Sequence, residues 1–200
     1  VAFEILDLAR VLFVKKLEAG DEETEGKGKE IATDDSPVVR HLKERLADAH
    51  DLLAEISLEN EKYVNSLLCR FDSLLTDTRR YPNAITDARA SLKYKQELYP
   101  EESEVIAEAH FKLSLALEFA SVTTSEEDGG GDKQVDQSLR DEAAKELELA
   151  IASTKLKLQN KEVELATLHS PEDNEITRKQ IAEVKEIIAD MEQRVSWILA

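Results

Sequence analysis

Apolar residues recur at helical spacing along most of the chain, and the breaks between these runs divide it. Residues 1–17 (VAFEILDLARVLFVKKL) place Phe3, Leu6, Phe13 and Leu17 at helical steps, with apolar side chains on more than one face. Such a helix needs neighbours on two sides. Residues 18–37 hold eight carboxylates, two lysines and few apolar side chains, which predicts an acidic disordered loop. Ser36 followed by Pro37 is a helix start, a hydroxyl cap with proline in the first turn, and the pattern then continues to about Lys62. Further helices are expected over 82–98 and from about Glu101 to Ala120, followed by a Gly-rich acidic loop over 121–139. Beyond it, Leu147, Ile151, Thr154, Leu158, Lys161, Leu165 and Leu168 alternate four and three apart. After a turn at 170–173, Ile181, Val184, Ile188, Met191, Val195 and Ile198 repeat that pattern. Two heptad-like helices joined by a short turn predict an antiparallel hairpin.

Between residues 46 and 119 two helix pairs are each cut at the same joint. Removing 64–81 on paper joins ENEKY to PNAITDARASL and closes the first pair, with Leu53 and Ala54 as contact residues, Tyr63 near the turn and Ala84 early in the second helix. In the second pair Leu113 and Ser114 take the first of these places, and Asp141, Glu142 and Ala143, followed by Leu147 and Ala150, open the second helix. The interruptions are 18 residues (64–81) and 17 residues (122–138) long. Paired antiparallel helices with small residues at the crossing describe a tetratricopeptide repeat, and repeat arrays serve as binding surfaces far more often than as catalysts.

Charge narrows the partners. A net charge of −17 opposes direct binding to nucleic acid and favours a basic protein partner. The single cysteine, Cys69, rules out a disulfide framework within the chain and fits a reducing compartment. No apolar run is long enough to span a membrane and no signal peptide is visible, and because the chain starts at Val1 within a helical pattern it reads as a fragment.

The segments LAEISLENEKY and DARASLKYKQELYPEESEVIAEAHFKLSLALEF, with the terminal hairpin, resemble the interrupted tetratricopeptide repeats (SHNi-TPR) of the NASP family of histone chaperones, especially its fungal members. The resemblance implies an all-α right-handed helical array with acidic loop interruptions and a C-terminal capping hairpin. It makes 1–17 (AFEILDLARVLF) the second helix of an incomplete repeat, 38–100 one interrupted repeat with an insertion at 64–81, 101–169 a second one with its acidic loop at 121–139, and 170–200 a capping helix. It also implies a nuclear protein with a cytoplasmic pool that binds histone H3 and H3-H4 in nucleosome assembly. By family analogy a histone acetyltransferase complex and import factors belong to its partners; a homodimer is a separate expectation, since an uncapped array end tends to associate. The segment VNSLLCRFDSLLTDTRRY at 64–81 departs from the family pattern, and three readings stay open: a lineage-specific insertion, translated intron sequence, or a surface loop with a short helix near 66–75.

Asp48, Asp51, Glu55 and Glu59 recur at three- and four-residue steps as one acidic stripe, opposite the packing positions Leu46, Ala49, Leu53 and Ile56 or Ser57. By itself such a stripe is a solvated face; in a tetratricopeptide array it lines the groove. The matching positions in the second pair, Glu108, Phe111, Leu115, Glu118 and Phe119, make a mixed acidic and aromatic surface suited to a basic amphipathic helix. The resemblance implies that 108–111 (EAHF) touches the histone. The acidic loops would add salt-sensitive attraction to its tails.

No catalytic, cofactor or metal arrangement is expected. His50 and His110 share one repeat position, where inter-helix packing outranks a ligand role, and Cys69 has no histidine nearby in sequence. Gly129–Gly131 lack the Lys and Ser or Thr of a phosphate loop. Two other classes compete. A tetratricopeptide co-chaperone adaptor for a heat-shock protein C-terminus needs groove cations where Asp51 and Glu55 stand, and a purely structural helical scaffold predicts no preference for basic ligands.

Overall fold

A computed structural model describes residues 2–25, 36–68, 80–124, 133–167 and 171–200. These form α1 (Ala2–Glu25), α2 (Pro37–Leu68), α3 (Arg80–Leu98), α4 (Glu104–Ser121), α5 (Gln137–Thr167) and α6 (Pro171–Leu199), with short strands β1 (Val122–Thr124) and β2 (Lys133–Val135) between α4 and α5. The class is all-α, as the periodicity predicts. The chain divides into two compact units, Val1–Leu98 and Tyr99–Ala200.

In the first unit Ser36 caps α2 as expected: its hydroxyl accepts from the Val39 amide at 3.3 Å, and its carbonyl accepts the first helical bond from Arg40 at 2.9 Å. The helices α2 and α3 run antiparallel, since Lys43 meets Glu97 at one end and His50 meets Asp87 further along. Their seam is made of Leu46, Leu53 and Leu92 alternating with Ala49, Ala54, Ala84 and Ala88, all buried. The alanines let the two backbones approach, and the leucines fill the space left on either side. The expected contact residues Leu53, Ala54 and Ala84 are all buried. Helix α1 packs against α2 and leaves a stripe of Ile5, Leu8 and Leu12 exposed on its other side.

Several boundaries differ from the sequence reading. Helix α1 continues to Glu25, past the apolar pattern that ends at Leu17, because Glu and Ala are good helix formers whatever the apolar pattern. Helix α2 continues to Leu68 and α3 begins at Arg80, so backbone helix covers both ends of the segment read as an interruption. Residues 69–79 lie outside the described residues, and with them most of that segment and its competing readings. The acidic stretch 26–35 lies outside them as well.

In the second unit, α4 and α5 form another antiparallel hairpin. Ser103 caps α4, accepting from the Val105 amide at 3.3 Å, so the helix starts at Glu104 and Glu101 lies in the preceding turn. Within the expected loop over 121–139, Val122, Thr123 and Thr124 pair antiparallel with Val135, Gln134 and Lys133. The Asp136 amide donates to the Ser121 carbonyl at 2.8 Å, while its carboxylate accepts from the Ser138 and Leu139 amides at 2.9 and 3.2 Å. Asp136 therefore starts α5 at Gln137, ahead of the Asp141 start read from the apolar spacing. The acidic Gly-rich centre, 125–132, is outside the described residues.

The terminal hairpin of α5 and α6 follows its predicted register. Leu147, Ile151, Ile181, Val184, Ile188, Met191 and Ile198 are buried, with Leu158 and Val195 packed at their edge. Ion pairs Lys155–Glu192 at 2.7 Å and Lys185–Glu162 at 2.9 Å flank the seam and fix the antiparallel sense.

Candidate functional site

The two hairpins place their histidines identically. His50 Nδ1 lies 2.8 Å from Asp87 Oδ1 on α3, and His110 Nδ1 lies 2.7 Å from Glu146 Oε2 on α5. Both imidazoles are buried, and Tyr94 stacks on His50 with ring centroids 6.1 Å apart. The histidines join the paired helices, which is the packing role expected for them. Next to them Ser114, at the expected contact position, donates to the Ala143 carbonyl at 2.8 Å.

The nine sequence candidates separate from this frame. On α2, Asp48, Glu55 and Glu59 are exposed, and Asp48 pairs with Arg45 at 3.4 Å. Asp51 is turned onto α3, where it accepts from Ser91 and from the buried Lys95, each at 2.5 Å. Its charge is matched there. Opposition to an acidic ligand therefore falls to its exposed neighbours Asp48, Glu55 and Glu59 rather than to Asp51.

On α4 the structure brings Glu108, Phe111 and Glu118 to one cleft of about 850 Å³ within the second unit. Leu115 and Phe119 are half-buried and are not among its lining residues. Phe111 forms part of the floor, packed at the edge of the α5–α6 core with Met191 and Val184 beneath the same cleft. Helix α6 supplies the opposite wall, with Ile187, Asp190, Arg194 and Trp197 at steps of three and four. Trp197 and Ile187 are 66% and 52% exposed, so the cleft is an open trough with an apolar lip. Five carboxylates line it, from Glu102, Glu104, Glu108, Glu118 and Asp190, against two cations, Lys157 and Arg194.

Each of these cations reaches a carboxylate of α4. Lys157 Nζ donates to Glu104 at 2.7 Å, and this hydrogen bond, helped by the ammonium charge, holds the Glu104 carboxyl below the usual glutamate range. Arg194 Nη2 donates to Glu118 at 2.7 Å while its guanidinium carbon lies 5.8 Å from the centre of the Phe111 ring. Glu108 pairs along its own helix with Lys112 at 3.0 Å and stays largely exposed. Among the described residues, no group of three or more His, Cys, Asp or Glu side chains is placed to hold a metal ion, and no helix is long and apolar enough to cross a membrane.

The α6 wall is absent from the sequence candidates. Its heptad register marks the buried seam, while Ile187 and the lone Trp197, both apolar and both off that register, signal that α6 has a second face. The acid rim and apolar floor define a class, an all-helical protein with an open anionic trough beside a terminal hairpin.

No family model matches the chain. It is similar to the NASP-related protein sim3 of Schizosaccharomyces pombe (strain 972 / ATCC 24843), with 33% identity over 122 residues that make up 60% of this chain and 22% of that protein. The chain thus spans about a fifth of the length of this relative, and the likeness supports the NASP-type resemblance carried by the repeat segments.

Proposed function

We propose that the chain is a histone-binding module of the NASP type, with interrupted tetratricopeptide repeats, that takes a basic amphipathic helix of histone H3, alone or with H4, into the trough of its second unit. The observation that carries this reading is the trough itself, with carboxylates around the rim and Phe111, Val184 and Met191 in the floor. The similarity to a NASP-related protein supports it. An amphipathic helix would lay its apolar stripe on that floor and against Trp197 while its lysines and arginines meet Glu102, Glu108 and Asp190. From Glu104 to Glu118 the acids of α4 extend over about 21 Å at 1.5 Å per residue, which matches about four turns of a ligand helix. Exposed Asp48, Glu55 and Glu59 on α2 add a second acidic face for histone contact. The function is shielding: the histone is held away from wrong contacts in a nuclear supply route leading to nucleosome assembly, with no turnover.

Titration with H3-H4 and with an acidic heat-shock C-terminal peptide at two salt concentrations tests the reading. Histone binding that weakens with salt, with no peptide binding, is the expected result. Replacing Glu108 and Phe111 together by Ala should weaken histone binding by about 1 to 3 kcal/mol. Phe111 also borders the core, so thermal unfolding of the variant accompanies the titration. Absence of histone binding at low salt refutes the proposal.

A further inference from the structure

The trough contains an ion pair whose geometry is incomplete. Arg194 reaches from α6 to α4 and donates to the Glu118 carboxylate through Nη2, while its guanidinium lies near the Phe111 ring. Its Nε is buried and finds no hydrogen-bond acceptor among the described residues. A guanidinium can fork two parallel N–H groups onto a carboxylate, and a buried donor left unmatched is costly. Arg194 is therefore an imperfect occupant of a place that suits a guanidinium well: a carboxylate whose side chain is only 15% exposed, beside an aromatic face.

We propose that Glu118 and Phe111 form a guanidinium subsite within the trough, and that Arg194 fills it in the unliganded protein as a stand-in for an arginine of the ligand. The inference rests on the basic-helix reading above and adds to it a selectivity and a gate. An incoming arginine can approach Glu118 from the open side of the trough and fork onto both carboxylate oxygens. Arg194, which lies at the trough edge with 35% of its side chain exposed, then swings into water, where its Nε regains a partner. The exchange trades one guanidinium for another, so net charge in the trough changes only by what the rest of the ligand brings. A lysine cannot make this exchange equally well. Its ammonium is a point charge with a firm hydration shell, and it lacks both the planar stack and the fork. The subsite therefore prefers Arg over Lys, and Arg194 lowers the apparent affinity for either by competing for Glu118.

The test uses a synthetic amphipathic peptide with arginines along its polar face and a second peptide with each arginine replaced by lysine. Both are titrated by calorimetry into the chain and into R194A, with R194Q as a second variant in case the alanine substitution impairs folding. Expected are tighter binding of the arginine peptide by wild type, and a further gain of about tenfold for that peptide when Arg194 is removed, the scale of a desolvated cation–aromatic contact plus one ion pair. E118Q should erase the preference for arginine. If wild type binds the peptides and folded R194A or R194Q binds the arginine peptide equally or more weakly, the stand-in is refuted and the basic-helix reading survives. If neither wild type nor variant binds either peptide, both fail.

Discussion

Asp51 provides a quantitative separation between fold and binding face. Its carboxylate is tied to Ser91 and Lys95, and the Lys95 and Asp51 side chains are only 7% and 16% exposed. In Asp51→Ala the lysine loses that partner inside the α2–α3 seam. Breaking a fully buried pair costs about 3 to 5 kcal/mol. The residual exposure of Asp51 lets water offset part of this, giving about 2 to 3 kcal/mol, or a urea midpoint lower by about 1 M for a slope near 2 kcal/mol per M. Asp48→Ala, three residues earlier and paired with Arg45 at the surface, should cost less than about 0.5 kcal/mol. Urea unfolding followed by far-ultraviolet circular dichroism reads both. The double variant Asp51→Leu with Lys95→Met should recover most of the loss, because a buried pair replaced by apolar side chains of similar size is often neutral. An Asp51→Ala curve that superimposes on wild type, or a double variant weaker than the single, would refute the claim that an uncompensated lysine is the cause.

Other outcomes follow from the second unit. Leu113, 2% exposed between α4 and α5, should cost about 3 kcal/mol as Leu113→Ala, and the unfolding midpoint reported by the fluorescence of the sole tryptophan, Trp197, should fall accordingly. The Glu104 carboxyl is depressed by Lys157, so the pair stabilises the fold above the ordinary glutamate range and the contribution disappears as pH drops through the lowered value. With the Glu104 side chain 78% exposed, Glu104→Gln should cost only about 0.5 kcal/mol near neutral pH and nothing in strong acid; urea midpoints at the two pH values check this, and an equal deficit at both would contradict it. Asp136→Ala removes the cap that receives the Ser138 and Leu139 amides and should destabilise by about 1 kcal/mol, read as a lower thermal midpoint.

The helices and seams were legible because burial repeats with the helical period. Met191, Ile188 and Val184 could be placed on the α5–α6 seam from spacing alone, and Leu53 and Leu113 could be matched across the two cut pairs. Helix ends were less legible. Asp136 starts α5 through side-chain bonds to the backbone, which apolar spacing does not register, and α1 runs on past Leu17 to Glu25 through a stretch with no apolar pattern to announce it. The trough was only half visible. Glu108, Phe111 and Glu118 share a helix, so their common face is written locally, whereas Trp197 and Arg194 join them only when α6 folds back, a relation that no local pattern encodes.

The shared histidine frame carries different residues in the two hairpins. Asp51 follows His50, and Phe111 follows His110. Two turns beyond the histidine's carboxylate partner stands Lys95 in the first hairpin and Thr154 in the second. A buried lysine demands an acid on the facing helix, and Asp51 supplies it. Thr154 makes no such demand, because its hydroxyl donates to the Ala150 carbonyl of its own helix at 2.8 Å. The position after His110 can therefore be aromatic, and Phe111 meets α6 and the guanidinium of Arg194 instead of a cation on α5. Moving the cation from the second helix of the hairpin to the terminal helix shifts the charged contact from inside the seam to the trough edge. The pair in the seam is 7% and 16% exposed, whereas Arg194 at the trough edge is 35% exposed. The sequence difference between Lys95 and Thr154 thus goes with an acid after the histidine in one hairpin and an aromatic ring in the other.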